Sequence, residues 1–381
     1  MFLTNEDVIE LTAWRHKLHA MPEVSGAEVA TAAEVIAFLA ETVPDRVISG
    51  LGGTGVAVIF EGAQEGPTVL FRCELDALPI EEISDIPHRS RLPGKGHMCG
   101  HDGHMATMAA LARGLSRERP KRGRVVLLFQ PSEENGAGAA AVIADPKFAA
   151  IKPDYALSLH NMPGLPLGHV WLKDGIANCA SRGLKIVLTG RTAHASLPET
   201  GNSPMRAIST LMPGLTALSG GNLDDGDFVL ATVTHAALGE QAFGIAPGHA
   251  EIWVTLRTMT DGQMEALTET AEALACTAAE ADELEVGLTY HDIFDHCDNH
   301  PEAASMLRAA LEVEGVSHEA GETMRGSEDF GRFGTVSKSA MFFLGAGYDQ
   351  PALHNPNYDF PDELIPIGAR IFMRVARDVL G

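Results

Sequence analysis

VVLLFQPSEE, residues 125–134, decides the fold. Five apolar residues, 125–129, break abruptly into Gln130, Pro131, Ser132 and two adjacent glutamates. A continuous apolar run of this length reads as a strand buried on both faces, the kind found in parallel sheets. In open α/β sheets ligands bind just beyond the C-terminal ends of the strands, so the two glutamates stand where function is expected. Residues 155–159 followed by His160 repeat the pattern. Residues 56–60 and 69–75 read as further short strands divided by Gly-rich turns. Helical stretches alternate with them. The opening segment has Thr4 as a cap and Val8, Leu11, Trp14 and Leu18 near helical spacing, and residues 28–42 and 104–116 read the same way. This alternation predicts an α/β domain with a mixed, mainly parallel sheet flanked by helices.

From about residue 180 the texture changes. Residues 184–188 alternate as a strand, 202–218 read as a helix, 229–235 and 250–257 as strands, 263–281 as a long helix and 286–291 as a strand. The order β-α-β-β-α-β is ferredoxin-like. The chain then returns to a helix (303–313), a strand (341–344) and a last helix (367–380). A second domain inserted into the first is expected, with residues 1–179 and 294–381 forming one domain and 180–293 the other.

The bulk numbers set bounds. A chain of 381 residues is long for one core. Apolar residues at 45% and charged residues at 21% place it among globular proteins and exclude general disorder. A formal net charge of −23 opposes binding to nucleic acid phosphates. Five cysteines, an odd number without framework spacing, point to a reducing compartment. The start carries acidic residues and no apolar run before a cleavage site, and no stretch of about 18 apolar residues follows. A cytoplasmic protein without a membrane partner is expected.

GHMCGHDGHM, residues 96–105, carries the strongest chemical signal. It places His97, Cys99, His101, Asp102 and His104 within eight positions. Thiolate, imidazole and carboxylate are the ligands of zinc and its neighbours. Gly100 and Gly103 are expected to let the backbone turn so that the side chains converge. Adjacent Glu133 and Glu134 diverge from a strand end, so one can bind a metal while the other serves as general base. His160 and His354, in LHNPNYDF, complete a candidate set. In RCELDALP the period-two spacing of Glu74 and Asp76 puts both on one side of a strand, and Asp76 can then orient a metal-ligating histidine. Each segment alone has a plain structural reading: a helix-capping loop, a solvated acidic turn, a satisfied histidine. Their joint position at strand ends makes the case.

The chain resembles the co-catalytic metallopeptidase family of aminoacylases, hippurate hydrolase, bacterial N-acyl-amino acid amidohydrolases and the plant hydrolases of auxin–amino acid conjugates. Eight ordered motifs carry the resemblance: RHKLHAMPEVSGAE, ELDALP, HMCGHDGHMA, FQPSEENGAGA, LHNMPGLPLG, TGRTAHASLPETGNSP, GSEDFGRF and LHNPNYDFPDE. The cysteine before GHDGH marks the amidohydrolase branch. The resemblance implies a catalytic domain and an inserted lid. It implies metal ligands at Cys99, His101, Glu134, His160 and His354, a general base at Glu133, and Asp76 positioning a ligand. His194 of TAHAS would stabilise the oxyanion, in some relatives from the partner subunit. Arg257 and Asn161 would meet the substrate. Two divalent ions per subunit are implied, zinc or manganese, with cobalt or nickel as alternatives. The partner is a small N-acyl amino acid, and a homodimer or tetramer would form through the lid. Glu74 stands where the family has aspartate, and Ser196 and Asn135 are unusual choices.

The expected reaction is hydrolysis of the amide of an N-acyl-L-amino acid. Three alternatives stay open: a dipeptidase or carboxypeptidase of the same fold, a thiol hydrolase with Cys99 as nucleophile and His101 or His104 as base, and a non-catalytic binding module.

Overall fold

A computed structural model describes residues 2–381. Residues 125–129 are wholly inaccessible to solvent. They lie in the strand Arg122–Gln130, which pairs in parallel with Gln64–Glu74. Gln64–Glu74 in turn pairs in parallel with Tyr155–Pro163, and that strand with Lys338–Gly347. These four strands form the middle of an eight-stranded sheet. One side is finished by antiparallel Gly55–Glu61 and Arg46–Leu51, the other by short Val170–Trp171 and His318–Glu319. The mixed, mainly parallel sheet therefore stands as the apolar runs predict. Because the central strands are parallel, their C-terminal ends emerge along one edge.

Helices cover the sheet. Asn5–His19 opens on a capping box in which Thr4 and Asp7 satisfy each other's backbone. It packs on His101–Arg117, as does the last helix, Leu364–Leu380. The helix His101–Arg117 begins three residues earlier than its periodicity indicates, because Gly100 takes a left-handed turn (φ 89°) immediately before it. His101, Asp102 and His104 are thus its first turn rather than a loop. Gly103, expected to turn the backbone, lies inside this helix. A Cβ there would overlap the Phe360 ring, so the missing side chain makes room for that ring.

The chain folds as two compact units. The first comprises residues 1–177, 297–322 and 329–381, and the second Asn178–His296 with Thr323–Glu328. The segment 323–328 lies outside the range 180–293 read from sequence. It is tied to the second unit by a bridge between Met324 and Asn178 and by Cys179 N donating to Met324 O at 3.0 Å. The second unit holds a four-stranded antiparallel sheet, ordered Val229–Leu238, His249–Thr258, Ala180–Thr189, Glu285–Phe294. The helices Met205–Thr216 and Asp261–Ala281 pack on one face of it, giving the ferredoxin-like arrangement. Each unit has its own apolar core. Among the described residues no helix is long and apolar enough to cross a membrane.

Candidate metal centre

Four segments of the first unit bring their donors together at the C-terminal edge of the sheet. The left-handed turn at Gly100 sends Cys99 and His101 to the same side. Cys99 Sγ lies 3.4 Å from His160 Nε2. His101 Nε2 lies 3.8 Å from both Glu133 Oε2 and Glu134 Oε1, and Glu134 Oε2 is 3.6 Å from His354 Nε2. The Nδ1 atoms of His101 and His160 each face a main-chain carbonyl at 2.8 Å, that of Asp76 and that of Asn161. A carbonyl only accepts, so Nδ1 donates in both rings and the Nε2 atom of each faces the cluster.

Two residues of the edge adopt a left-handed backbone without being glycine: Ser132 (φ 52°) and His354 (φ 66°). Such conformations cost on the order of 1–3 kcal/mol and persist where the surroundings hold them. Ser132 N donates to the carboxylate of Glu28, a fully buried residue of the N-terminal motif, at 2.9 Å. His354 N donates to Met98 O at 2.8 Å, which fixes the C-terminal motif to the Cys99 turn. Those two hydrogen bonds explain why motifs far apart in sequence belong to one site.

Asp76 stands beside two of the expected ligands. The strand ends at Glu74, and Asp76 follows it. Its Oδ2 accepts from Ser25 Oγ at 2.7 Å and Glu134 N at 3.0 Å. Its Oδ1 stays 3.7 Å from His101 Nδ1. His101 is oriented by the main-chain carbonyl of Asp76, and the carboxylate instead seats Glu134. Asn161, expected to meet substrate, is fully buried, and its Nδ2 donates to Tyr358 Oη at 2.6 Å. Asn135 caps its own turn through Ala137 N at 3.0 Å. Glu74 leaves the cluster uncrowded: its Oε2 reaches His104 Nδ1 at 2.6 Å.

The electrostatics describe a site short of a cation. Burial disfavours charge on His101, yet the carboxylates of Asp76, Glu74 and Glu134 outweigh it and lift the pKa to about 10. Burial, and then the charges of Glu134 and Glu133, push the Cys99 thiol well above its ordinary range. His160, buried beside His104, is pushed down to about 3. His101 Nε2 is buried without a hydrogen-bond partner. The donors fit metal ions. Cys99, His101 and His160 have ligand atoms within 4.8 Å of one another, and so do Cys99, Glu134 and His354. These two triads share only Cys99 and together use all five expected ligands.

In the second unit, His194 is exposed and its Nδ1 accepts from Ser196 N at 3.1 Å. The ring's proton then sits on Nε2, and Ser196 Oγ lies against the same Nδ1 at 2.8 Å. The guanidinium of Arg257 donates to Arg325 O at 2.9 Å and Ser327 Oγ at 3.0 Å, and no carboxylate among the described residues pairs with it. Ser25, Glu28 and Tyr358 also hold the site together, and nothing in the sequence marks them out one by one. Their only signal is their place inside the quoted motifs.

A buried set of thiol, imidazole and carboxylate at the edge of a parallel sheet defines an α/β protein built to hold cations. The chain matches the model of peptidase family M20/M25/M40 over residues 70–378, and it belongs to that family. It is 31% identical to a hippurate hydrolase of Campylobacter jejuni, over 95% of this chain and 94% of that one. It is 28% identical to an N-acetyldiaminopimelate deacetylase of Listeria welshimeri, over 96% of this chain and 98% of that one. In three dimensions it is similar to a dinuclear metal-binding peptidase of the M20 family from Bacillus subtilis, with a TM-score of 0.83, 24% identity and 99% of both chains covered.

Proposed function

We propose that this protein is a metal-dependent amidohydrolase that cuts the linear amide of an N-acyl-L-amino acid, releasing a carboxylic acid and a free amino acid. The observation that carries the reading is the union of two donor triads, Cys99–His101–His160 and Cys99–Glu134–His354, beside a further carboxylate, Glu133. The relatives named hippurate hydrolase and N-acetyldiaminopimelate deacetylase support the same reaction class. The donor set fits two divalent ions, the number that the name of the Bacillus subtilis neighbour implies. Thiolate and imidazole suit zinc, and manganese, cobalt or nickel fit the same set. When bound, such ions polarise a carbonyl and lower the pKa of water from about 16 towards about 7.

The residues of the chain do the rest. Glu133, on the strained turn after Ser132, is the general base. One of its oxygens takes a proton from water and returns it to the leaving amine. Glu134 is a ligand, and Asp76 holds its backbone. His194, with the proton on Nε2, is a donor for the developing oxyanion. Arg257, half-buried and without a carboxylate partner, is a receptor for the substrate carboxylate. The five cysteines are free, which supports a reducing compartment such as the cytoplasm. Pairing of two copies through the second unit is supported by the edge strand Val229–Leu238 and by exposed Phe243, Leu197 and Ile245. Sedimentation of the purified chain tests the pairing.

The decisive experiment is a screen of acetyl-, benzoyl- and aminoacyl-amino acids with metal content measured on the same sample. Release of free amino acid from the acetyl or benzoyl compounds, lost on chelation and regained with metal, is the expected result. Hydrolysis confined to aminoacyl substrates would convert the reading to a peptidase. Full activity of metal-free protein would replace it with the thiol route.

A further inference from the structure

Behind the ligands lies a buried chain of polar groups that the proposed reaction does not use. Arg72, Glu74, His104, Gln130 and Asp329 are all at most 1% exposed. Arg72 Nη1 pairs with Glu74 Oε1, Arg72 Nη2 with Asp329 Oδ1 at 2.5 Å, and Arg72 Nε with Gln130 Oε1 at 3.0 Å. The second oxygen of Glu74 meets His104 Nδ1 at 2.6 Å. On the far side of the same ring, Asn161 N donates to His104 Nε2 at 3.3 Å. The carbonyl of Asn161 then accepts from His160 Nδ1 at 2.8 Å. The His104 ring also stands edge-on to that of His160, with centroids 4.9 Å apart.

Each link constrains the next. A carboxylate paired with a guanidinium is acceptor-only, so His104 must carry its proton on Nδ1. Its Nε2 is then a lone pair, the only form that can receive the Asn161 N–H. That bond anchors the backbone of Asn161 at its N–H, and the carbonyl on the other side of the same Cα accepts the Nδ1 proton of His160. His160 is left with its Nε2 lone pair facing Cys99. Glu74, His101 and His104 lie close enough to hold an ion themselves. Both oxygens of Glu74 and both nitrogens of His104 are already engaged, however, so this cluster supports ligands rather than being one.

We propose that Glu74 and His104 are positioning residues that lock His160 in its ligating tautomer through the backbone N–H and C=O of Asn161. The inference rests on the reading of His160 as a metal ligand. It also accounts for glutamate at position 74, whose two oxygens reach Arg72 and His104 at once.

Zinc affinity, measured by competition with a chromophoric chelator on the purified full chain, tests this without any substrate. His104→Gln places an amide near the former Nε2 and keeps an acceptor for Asn161 N. His104→Asn places its amide near the former Nδ1 and loses that acceptor. Glu74→Gln can satisfy Arg72 or His104 but not both. His104→Asn and Glu74→Gln are expected to weaken the affinity for one of the two ions by about 10–100-fold, the usual cost of losing an outer partner. His104→Gln should stay within a few-fold of the parent. Melting curves of the metal-free proteins should not separate the two His104 variants. Equal losses in both His104 variants, or parental affinity in Glu74→Gln, overturn the proposal. If His104→Asn does not fold, the contrast between Glu74→Gln and His104→Gln carries the same decision. A parent protein that binds none of zinc, manganese, cobalt or nickel would sink the proposed function itself, which is a different result.

Discussion

Two buried clusters of histidine and carboxylate flank the first turn of the helix His101–Arg117, and they are finished differently. On one side Asp102 meets Arg15 at 3.3 Å and His19 at 2.9 Å. His19 reaches Glu82 at 3.3 Å, and Arg15 reaches Asp362 at 2.9 Å and also pairs with Asp359. On the other side Cys99, His101, Glu133, Glu134, His160 and His354 gather, and the glutamates face the histidines of the set itself. The residue types are alike, and each cluster draws on the same ten-residue motif. The closed cluster carries its own arginine to balance its carboxylates, although one oxygen of Asp102 is buried without a hydrogen bond. The open one concentrates anionic donors around a buried His101 Nε2 that makes no hydrogen bond. Charge compensation, rather than composition, separates the structural cluster from the functional one.

That contrast is broken most forcefully at Glu133. Glu133→Gln should lower kcat by about 10²–10⁴-fold, the range of a general base, with metal content unchanged. Near-normal turnover in steady-state assays would remove the base from the open cluster. Cys99→Ala deletes the one donor common to both triads. Its zinc affinity should fall by more than the ~10–100-fold expected for an outer partner, as read by chelator competition. Unchanged stoichiometry and affinity would refute the ligand assignment.

Arg15→Met attacks the closed cluster instead. It removes the guanidinium from Asp102, Asp359 and Asp362, leaving Asp102 only His19, and should cost about 3–5 kcal/mol in urea unfolding, the range for breaking a buried pair. A loss below about 1 kcal/mol, the surface-pair range, would mean the cluster is not held by charge. The pH dependence sharpens the same point. Burial acts to lower the pKa of His19, but Asp102 and Glu82 outweigh it and raise it from 6.5 to about 9. A histidine held protonated in the folded state contributes its full stabilisation below pH 6.5 and loses it as pH climbs through about 9. Urea midpoints should decline across that window in the parent and not in His19→Gln. The smallest effect belongs to the surface. Arg374→Ala breaks an i,i+4 pair with Asp378 and should change stability by at most about 0.5 kcal/mol.

By itself the sequence determined the apolar strand 125–129, the parallel sheet around it, the ferredoxin-like second unit and the types of donor at the strand ends. These are legible because burial imposes a periodicity of hydrophobicity along the chain, and because metal-binding chemistry admits few residue types. It did not determine partners. Asp76 read as a carboxylate that positions a ligand, without saying which, and in the fold its side chain seats Glu134 while its main-chain oxygen accepts from His101. Asn161 read as a substrate contact and is enclosed against Tyr358. Gly103 read as a turn and is the space that Phe360 fills. Arg15 and Asp362, 347 residues apart, form an ion pair that no local pattern announces. The reason is the same in each case. Periodicity records whether a side chain is buried, whereas the identity of its hydrogen-bond partner depends on distances of about 3 Å between segments that only the folded chain brings together. The open cluster and the closed one are spelled with the same letters, and only tertiary structure decided which of them received Arg15.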